Sequence, residues 1–199
     1  MKLFYLLLIV LLFTTSIIAA QSPFKGGSVY LTGSTSYSSY GGDAYRDAKI
    51  YSFNSQLGIC IAQNLFISPG IAYTHITQQA YIYYGFNEYR LEEVSSSTWL
   101  IQPTLEYYFV GDKIIKRGIN VPYISIITAF NGSGDEHINQ YGGGFGVLYF
   151  VSDQISIDFA IRFTHDVSDR TYYSYPYGYG DSNLSGNTLQ FGFGVKGFL

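Results

Sequence analysis

Charge is scarce in this chain. Only 13% of its 199 residues are charged, and the formal net charge is −3. No basic block exists, which excludes a nucleic-acid surface. The one cysteine, Cys60, cannot form an internal disulfide; its place in an alternating segment reads as a small inward residue. Beyond residue 20 no apolar run approaches the ~20 residues that a membrane-spanning helix needs. Gly142-Gly-Gly-Phe-Gly146 is followed by no helix pattern and no Lys-Ser/Thr pair, so it is not a phosphate loop. Its glycines read as room left inside the fold.

The N-terminus has the pattern of a secretory leader. Lys2 supplies a positive start, Leu3 to Phe13 an apolar stretch too short to span a membrane, and Ala19-Ala20 a small-residue end. Residues 1–20 are therefore expected to be a signal peptide and 21–199 one domain. With Lys2 gone, ten bases face 14 acids. No Cys follows the cut, which argues against an N-terminal lipid anchor.

What the chain does have is 21 Tyr, 15 Phe and 22 Gly, a composition suited to many short strands. The clearest alternation is Ile155, Ile157, Phe159, Ile161 and Phe163 interleaved with Ser156, Asp158, Ala160, Arg162 and Thr164. That is a strand with one greasy and one wet face. Seven more segments read as strands: Gly27–Ser36, Lys49–Ala62, Leu65–Ile76, Thr98–Phe109, Val121–Phe130, Asn139–Val151 and Thr188–Leu199. The alternation in Val121–Phe130 is blurred and leaves its facing open. Pro69 and Pro103 interrupt two segments, where bulges or departures from the ladder are expected.

Connections alternate in length. Gln63-Asn64 and Ser152-Asp153 are tight turns and Gly111–Asn120 a moderate one. The stretches 37–48, 77–97, 131–138 and 167–187 are longer and polar. Short turns thus fall at one end of the strands and long loops at the other, the phasing of membrane barrels. Ala80–Tyr84 and Tyr89–Val94 flank Gly85-Phe86-Asn87, a hairpin signal that predicts a raised ribbon. The Tyr-rich stretch 167–187 fits either a second ribbon or an ordinary solvated loop.

Polarity decides which face is inside. The inward set includes Glu106, Asp158, Arg162 and Lys196 with Gln56, Gln102, Gln140 and Gln190, the wrong residues for a soluble core. Lipid outside explains the greasy face, and lipid requires every backbone group to be paired, hence a closed barrel. Nine residues at ~3.3 Å and a tilt near 40° cover roughly 23 Å, against the roughly 25 Å apolar band of such barrels. The fold class predicted is all-β: an eight-stranded antiparallel up-and-down transmembrane barrel, its interior filled by side chains. Buried charges must pair, so Glu106, Asp158, Arg162 and Lys196 are expected to form an interior network, Asp158 with Lys196 among the candidate pairs and Glu106 reaching either base.

The chain resembles the small eight-stranded outer-membrane barrels, such as the OmpA transmembrane domain and OmpX. The leader, the strand phasing, the turn Val151-Ser152-Asp153-Gln154 and the terminal segment Gln190-Phe-Gly-Phe-Gly-Val-Lys-Gly-Phe-Leu199 carry the resemblance. It implies residence in the bacterial outer membrane, contact with its lipid, and reading of the last strand by the barrel-assembly machinery. That family commonly ends in an aromatic; Leu199 departs from this but keeps the outward parity. The resemblance also implies a role in adhesion, surface interaction or envelope integrity, and sometimes a small conductance.

Catalytic patterns are thin. His165 and Ser168 near a barrel rim resemble part of the nucleophilic relay of the lipid A deacylases. Their spacing of three puts them on opposite strand faces, and Asp169 follows where that family has Asn. His75, His137 and His165 share no local metal-binding motif. The reading is a non-enzymatic monomer without cofactor. Its extracellular ligand is unidentified, and Tyr172, Tyr173, Tyr175, Tyr177 and Tyr179 are the candidate contact residues, because Tyr gives large area at low entropic cost. A narrow channel is the second reading and a lipid A-modifying enzyme the third.

Overall fold

The computed structural model describes residues 23–41, 49–85, 88–110, 115–131, 136–174 and 178–199. The expected leader, the turn residues Phe86 and Asn87, and Tyr175 and Tyr177 lie outside the described residues. Ten strands form one sheet: β1 (Val29–Gly41), β2 (Lys49–Ala62), β3 (Leu65–Ser68), β4 (Gly70–Gly85), β5 (Glu88–Ile101), β6 (Thr104–Tyr108), β7 (Asn120–Phe130), β8 (Glu136–Phe150), β9 (Ile155–Ser174) and β10 (Gly178–Phe198). β3 and β4 are one stave broken at Pro69, and β5 and β6 are one stave broken at Gln102-Pro103. The eight staves run up and down in chain order, and β1 pairs with β10 to close the barrel.

The two prolines break the strands without shifting them. Ser68 faces Thr104 and Ile71 faces Ile101 in one continuous register, so Pro69 and Pro103 stand opposite each other. Gln102 N donates to Gly70 O at 2.8 Å beside them. The proline carbonyls still serve the outer seams: Leu57 N donates to Pro69 O and Thr128 N to Pro103 O, both at 3.1 Å. What each ring removes is the one N–H that would have answered across its seam. Each proline thus costs a single rung and no bulge forms.

Register sets the tilt. A circuit of paired residues from Val29 passes Ile59, Ile67, Leu105, Ile126, Gly143, Phe163 and Leu189 and returns to β1 at Ser39, ten residues above its start. Ten residues of ~3.3 Å over eight strand spacings of ~4.8 Å tilt the strands by about 41°. On β2 the outward run from Tyr51 to Ile61 then rises about 25 Å, the height of a membrane barrel's apolar band.

Facing follows the two-residue period. Tyr51, Phe53, Leu57, Ile59 and Ile61 point out on β2, and Asn54, Gln56 and Cys60 point in. β9 turns Phe159 and Phe163 out and Asp158 and Arg162 in. β7 alternates strictly as well: Val121, Tyr123, Ser125, Ile127 and Ala129 are inside, Ile124, Ile126 and Phe130 outside. Its pattern blurs in sequence because both faces carry apolar residues.

The end of the lumen that carries the short turns is closed by apolar side chains. Phe24, from the segment before β1, packs among Phe66, Tyr108, Phe150 and Phe198 at ring-centroid distances of 4.9 to 6.2 Å. Backbone bonds hold it there. Asn64 N donates to Phe24 O at 3.0 Å and Gly27 N to Cys60 O at 2.8 Å. Asn64 makes the tight turn at φ 66°, a left-handed conformation Asn tolerates. Nothing in the strand alternation signals this plug, because Phe24 lies outside every strand.

Candidate functional site

Above the plug the lumen turns polar. Lys196 on β10 and Glu106 on β6 come from staves on opposite sides of the barrel, and both are buried, at 1% and 0% exposure. Lys196 Nζ donates to Glu106 Oε1 at 2.9 Å and Oε2 at 3.0 Å, and to the Tyr108 hydroxyl at 2.7 Å. Asp158 Oδ2 lies 3.5 Å from the same ammonium. Tyr30 and Tyr108 donate to Glu106 Oε2 at 2.5 and 2.6 Å, and Tyr123 donates to Asp158 Oδ1 at 2.9 Å. The ammonium also sits 4.7 Å from the ring centroids of Tyr30 and Tyr123, within cation–π range.

Two glycines make this crossing possible. A Cβ on Gly58 would collide with the ring of Tyr30, and one on Gly146 with the ring of Tyr123. Both tyrosines lie across the lumen against bare backbone, which places their hydroxyls on the carboxylates.

Of the four charged residues singled out in sequence, three meet here. Arg162 sits one repeat above Asp158 on β9; no ion pair joins it to Glu106 or Asp158, and its buried Nε has no hydrogen-bond partner. Around and above it the interior is polar: Gln56 Nε2 donates to Thr104 Oγ1 at 2.9 Å, Asn54 to Gln102, and Thr188 to Asp166. Ser38, Ser125, Ser156 and Thr164 bury hydroxyl oxygens without a partner, groups that ordered water generally satisfies. The sequence reading missed Tyr30, Tyr108 and Tyr123, although each has inward parity.

The other candidates lie higher. β9 and β10 pair as far as Ser174 and Gly178, so the Tyr-rich stretch is a ribbon. Its register sets Tyr173 against Tyr179 and Tyr172 against Gly180. β4 and β5 form the other ribbon, the first in chain order, with Tyr83 facing Tyr89 and Gly85 facing Glu88. His165 is paired with Asn187, Nδ1 to Oδ1 at 2.9 Å, and β9 runs past Ser168 without a register shift. That continuity keeps positions 165 and 168 on opposite faces. His75 lies on β4, its Nδ1 2.8 Å from Ser97 Oγ. Among the described residues no group of three His, Cys, Asp or Glu is placed to hold a metal.

No known family profile matches the chain, and no curated protein matches it in sequence. Solved structures do. Neisserial surface protein A aligns at TM-score 0.51 and 16% identity, covering 86% of this chain and 98% of that one. The outer membrane protein OprG of Pseudomonas aeruginosa aligns at TM-score 0.49 and 14% identity, covering 86% and 96%. The closed barrel, the apolar band and the polar lumen identify a membrane-spanning chain with the fold of the small eight-stranded outer-membrane proteins.

Proposed function

We propose that this chain is a monomeric, non-enzymatic outer-membrane barrel that presents its extracellular ribbons to a binding partner. One observation carries the reading. β9 and β10 are 20 and 21 residues long, whereas about 9–11 suffice to cross a membrane. From Phe163 to Ser174 the strand runs about 36 Å at ~3.3 Å per residue. A barrel that only filled the membrane would have no use for that length. Tyr172, Tyr173 and Tyr179 belong to the paired far end of this ribbon, and together with Tyr175 and Tyr177 of the same sequence stretch they are the proposed contact residues.

A filled lumen supports this role over conduction. The Tyr30–Glu106–Lys196–Asp158 chain spans the interior, and the Phe24 cluster lies beneath it. Single-channel recording in planar bilayers separates the two readings; steady conductance would favour the channel. In assembly, the alternating β10 with Phe191, Phe193 and Val195 outward is the proposed contact of the insertion machinery.

The test replaces residues 168–184 by Asn-Gly, a two-residue hairpin turn. Cells displaying the parent chain should bind spots on an array of extracellular-matrix proteins and glycans that chain-free cells do not. The shortened chain should assemble normally and lose that binding. Equal binding by both chains, or none by the parent, overturns the proposal.

A further inference from the structure

The outer wall carries a gap in its aromatic belt. On the lipid-facing side of β1, Leu31 is followed by Gly33 and Thr35 before Tyr37 restores bulk. Gly33 has open space where a Cβ would stand. Thr35 is flanked by its register partners, Phe193 on β10 and Phe53 on β2. The outcome is a groove of about 440 Å³ running over β1. Phe191 and Phe193 form one wall, Tyr51 and Phe53 the other, and Tyr37 stands at the upper end.

The groove's position and width restrict what can fill it. Tyr37 and Tyr51, with ring centroids 5.3 Å apart, stand at the upper end of the outward apolar run on β2, so the groove lies in the outer-leaflet half of the band. Over Thr35 it lies between Phe193 on β10 and Phe53 on β2, strands about 10 Å apart, and its rim reaches past β2 to Tyr73 and His75 on β4. The slot over Thr35 suits one hydrocarbon chain and is too narrow for the side-chain rows of another barrel wall. Lys49 lies one pleat repeat above Tyr51 on the same face, about 7 Å higher along the strand, and is exposed. A cation one pleat repeat above the β2 wall of an apolar slot complements an anionic headgroup whose acyl chain lies below. His75 also lines the groove, but its ring nitrogens already meet Ser97 Oγ at 2.8 Å and Thr77 Oγ1 at 3.4 Å. The charge contact therefore falls to Lys49.

We propose that this groove binds one acyl chain of a phosphorylated glycolipid of the outer leaflet, with a phosphate on Lys49. The proposal rests on the membrane-spanning orientation and is independent of the ribbons' partner. Native mass spectrometry of the detergent-purified chain tests it, using lipid A, dephosphorylated lipid A and phosphatidylcholine as probes. The parent should retain one lipid A at least tenfold more than either other lipid. Thr35→Trp, which fills the slot, should lose that retention at least tenfold. Lys49→Gln should keep a lipid but lose the preference for phosphate. Heat-modifiable gel mobility reports whether each variant is folded, and Gly33→Leu serves as the filling variant if Thr35→Trp does not assemble. Equal retention of all three lipids by the parent, or unchanged lipid A retention in a folded filled variant, overturns the proposal. Failure of the orientation itself would look different: the chain would fold as a monomer in detergent-free buffer.

Discussion

Lys196→Met removes the one ammonium shared by Glu106 and Asp158. At an effective dielectric of 20, attractions at 2.9 and 3.5 Å amount to about 6 and about 5 kcal/mol. Two effects offset this loss. The variant no longer desolvates the ammonium, which costs several kcal/mol per buried ion. The hydroxyls of Tyr30 and Tyr108 also remain on Glu106. The net expectation is the cost of leaving a buried charge unpaired, about 3–5 kcal/mol. The assay is urea unfolding of the chain refolded in lipid vesicles, followed by heat-modifiable mobility and by fluorescence of Trp99, the chain's one tryptophan. Adding Glu106→Gln should restore at least half of the loss, because the nearer and more deeply buried of the two orphaned carboxylates is then neutral. A stability change below about 1 kcal/mol for Lys196→Met would refute the argument that the ammonium compensates the two carboxylates. So would a double variant no better than the single one.

Three further substitutions probe other levels of the structure. Phe159→Arg puts a guanidinium on the lipid face near mid-band and should cost about 2–4 kcal/mol and abolish folded protein in membrane fractions; normal assembly would reverse the assigned facing. Gly58→Ala should displace Tyr30 from Glu106 and lower the urea midpoint, and an unchanged midpoint would mean the Tyr30 ring has room to move. Pro69→Ala restores a donor opposite the Leu57 carbonyl and should stabilise by about 0.5–1.5 kcal/mol, the net worth of one hydrogen bond. No gain in the same unfolding assay would show that the missing rung is already compensated.

Much of this molecule was legible because strands have a period of two. Ile155 to Phe163 against Ser156 to Thr164 fixed both the strand and its facing, and the polar identity of the inward set placed lipid outside. Gly85-Phe86-Asn87 marked the first ribbon in the same way. The second ribbon was open in sequence, since Val167–Asn187 lacks a clean alternation; continuous pairing of β9 with β10 resolves it. The prolines suggested bulges or departures from the ladder; the strands do break at them, yet their mutual opposition, a property of two strands at once, lets the register pass through unchanged.

Local chemistry told which residues enter the lumen, because alternation is a property of one strand. It could not tell who meets whom. Glu106 and Lys196 are 90 residues apart in sequence on opposite staves, and their encounter depends on the ten-residue offset accumulated around the barrel. That offset is the outcome of every inter-strand register taken together. Only the closed tertiary structure also put Phe24 beneath the lumen and opened a groove over Thr35, since both arise from side chains of several strands arriving at one height.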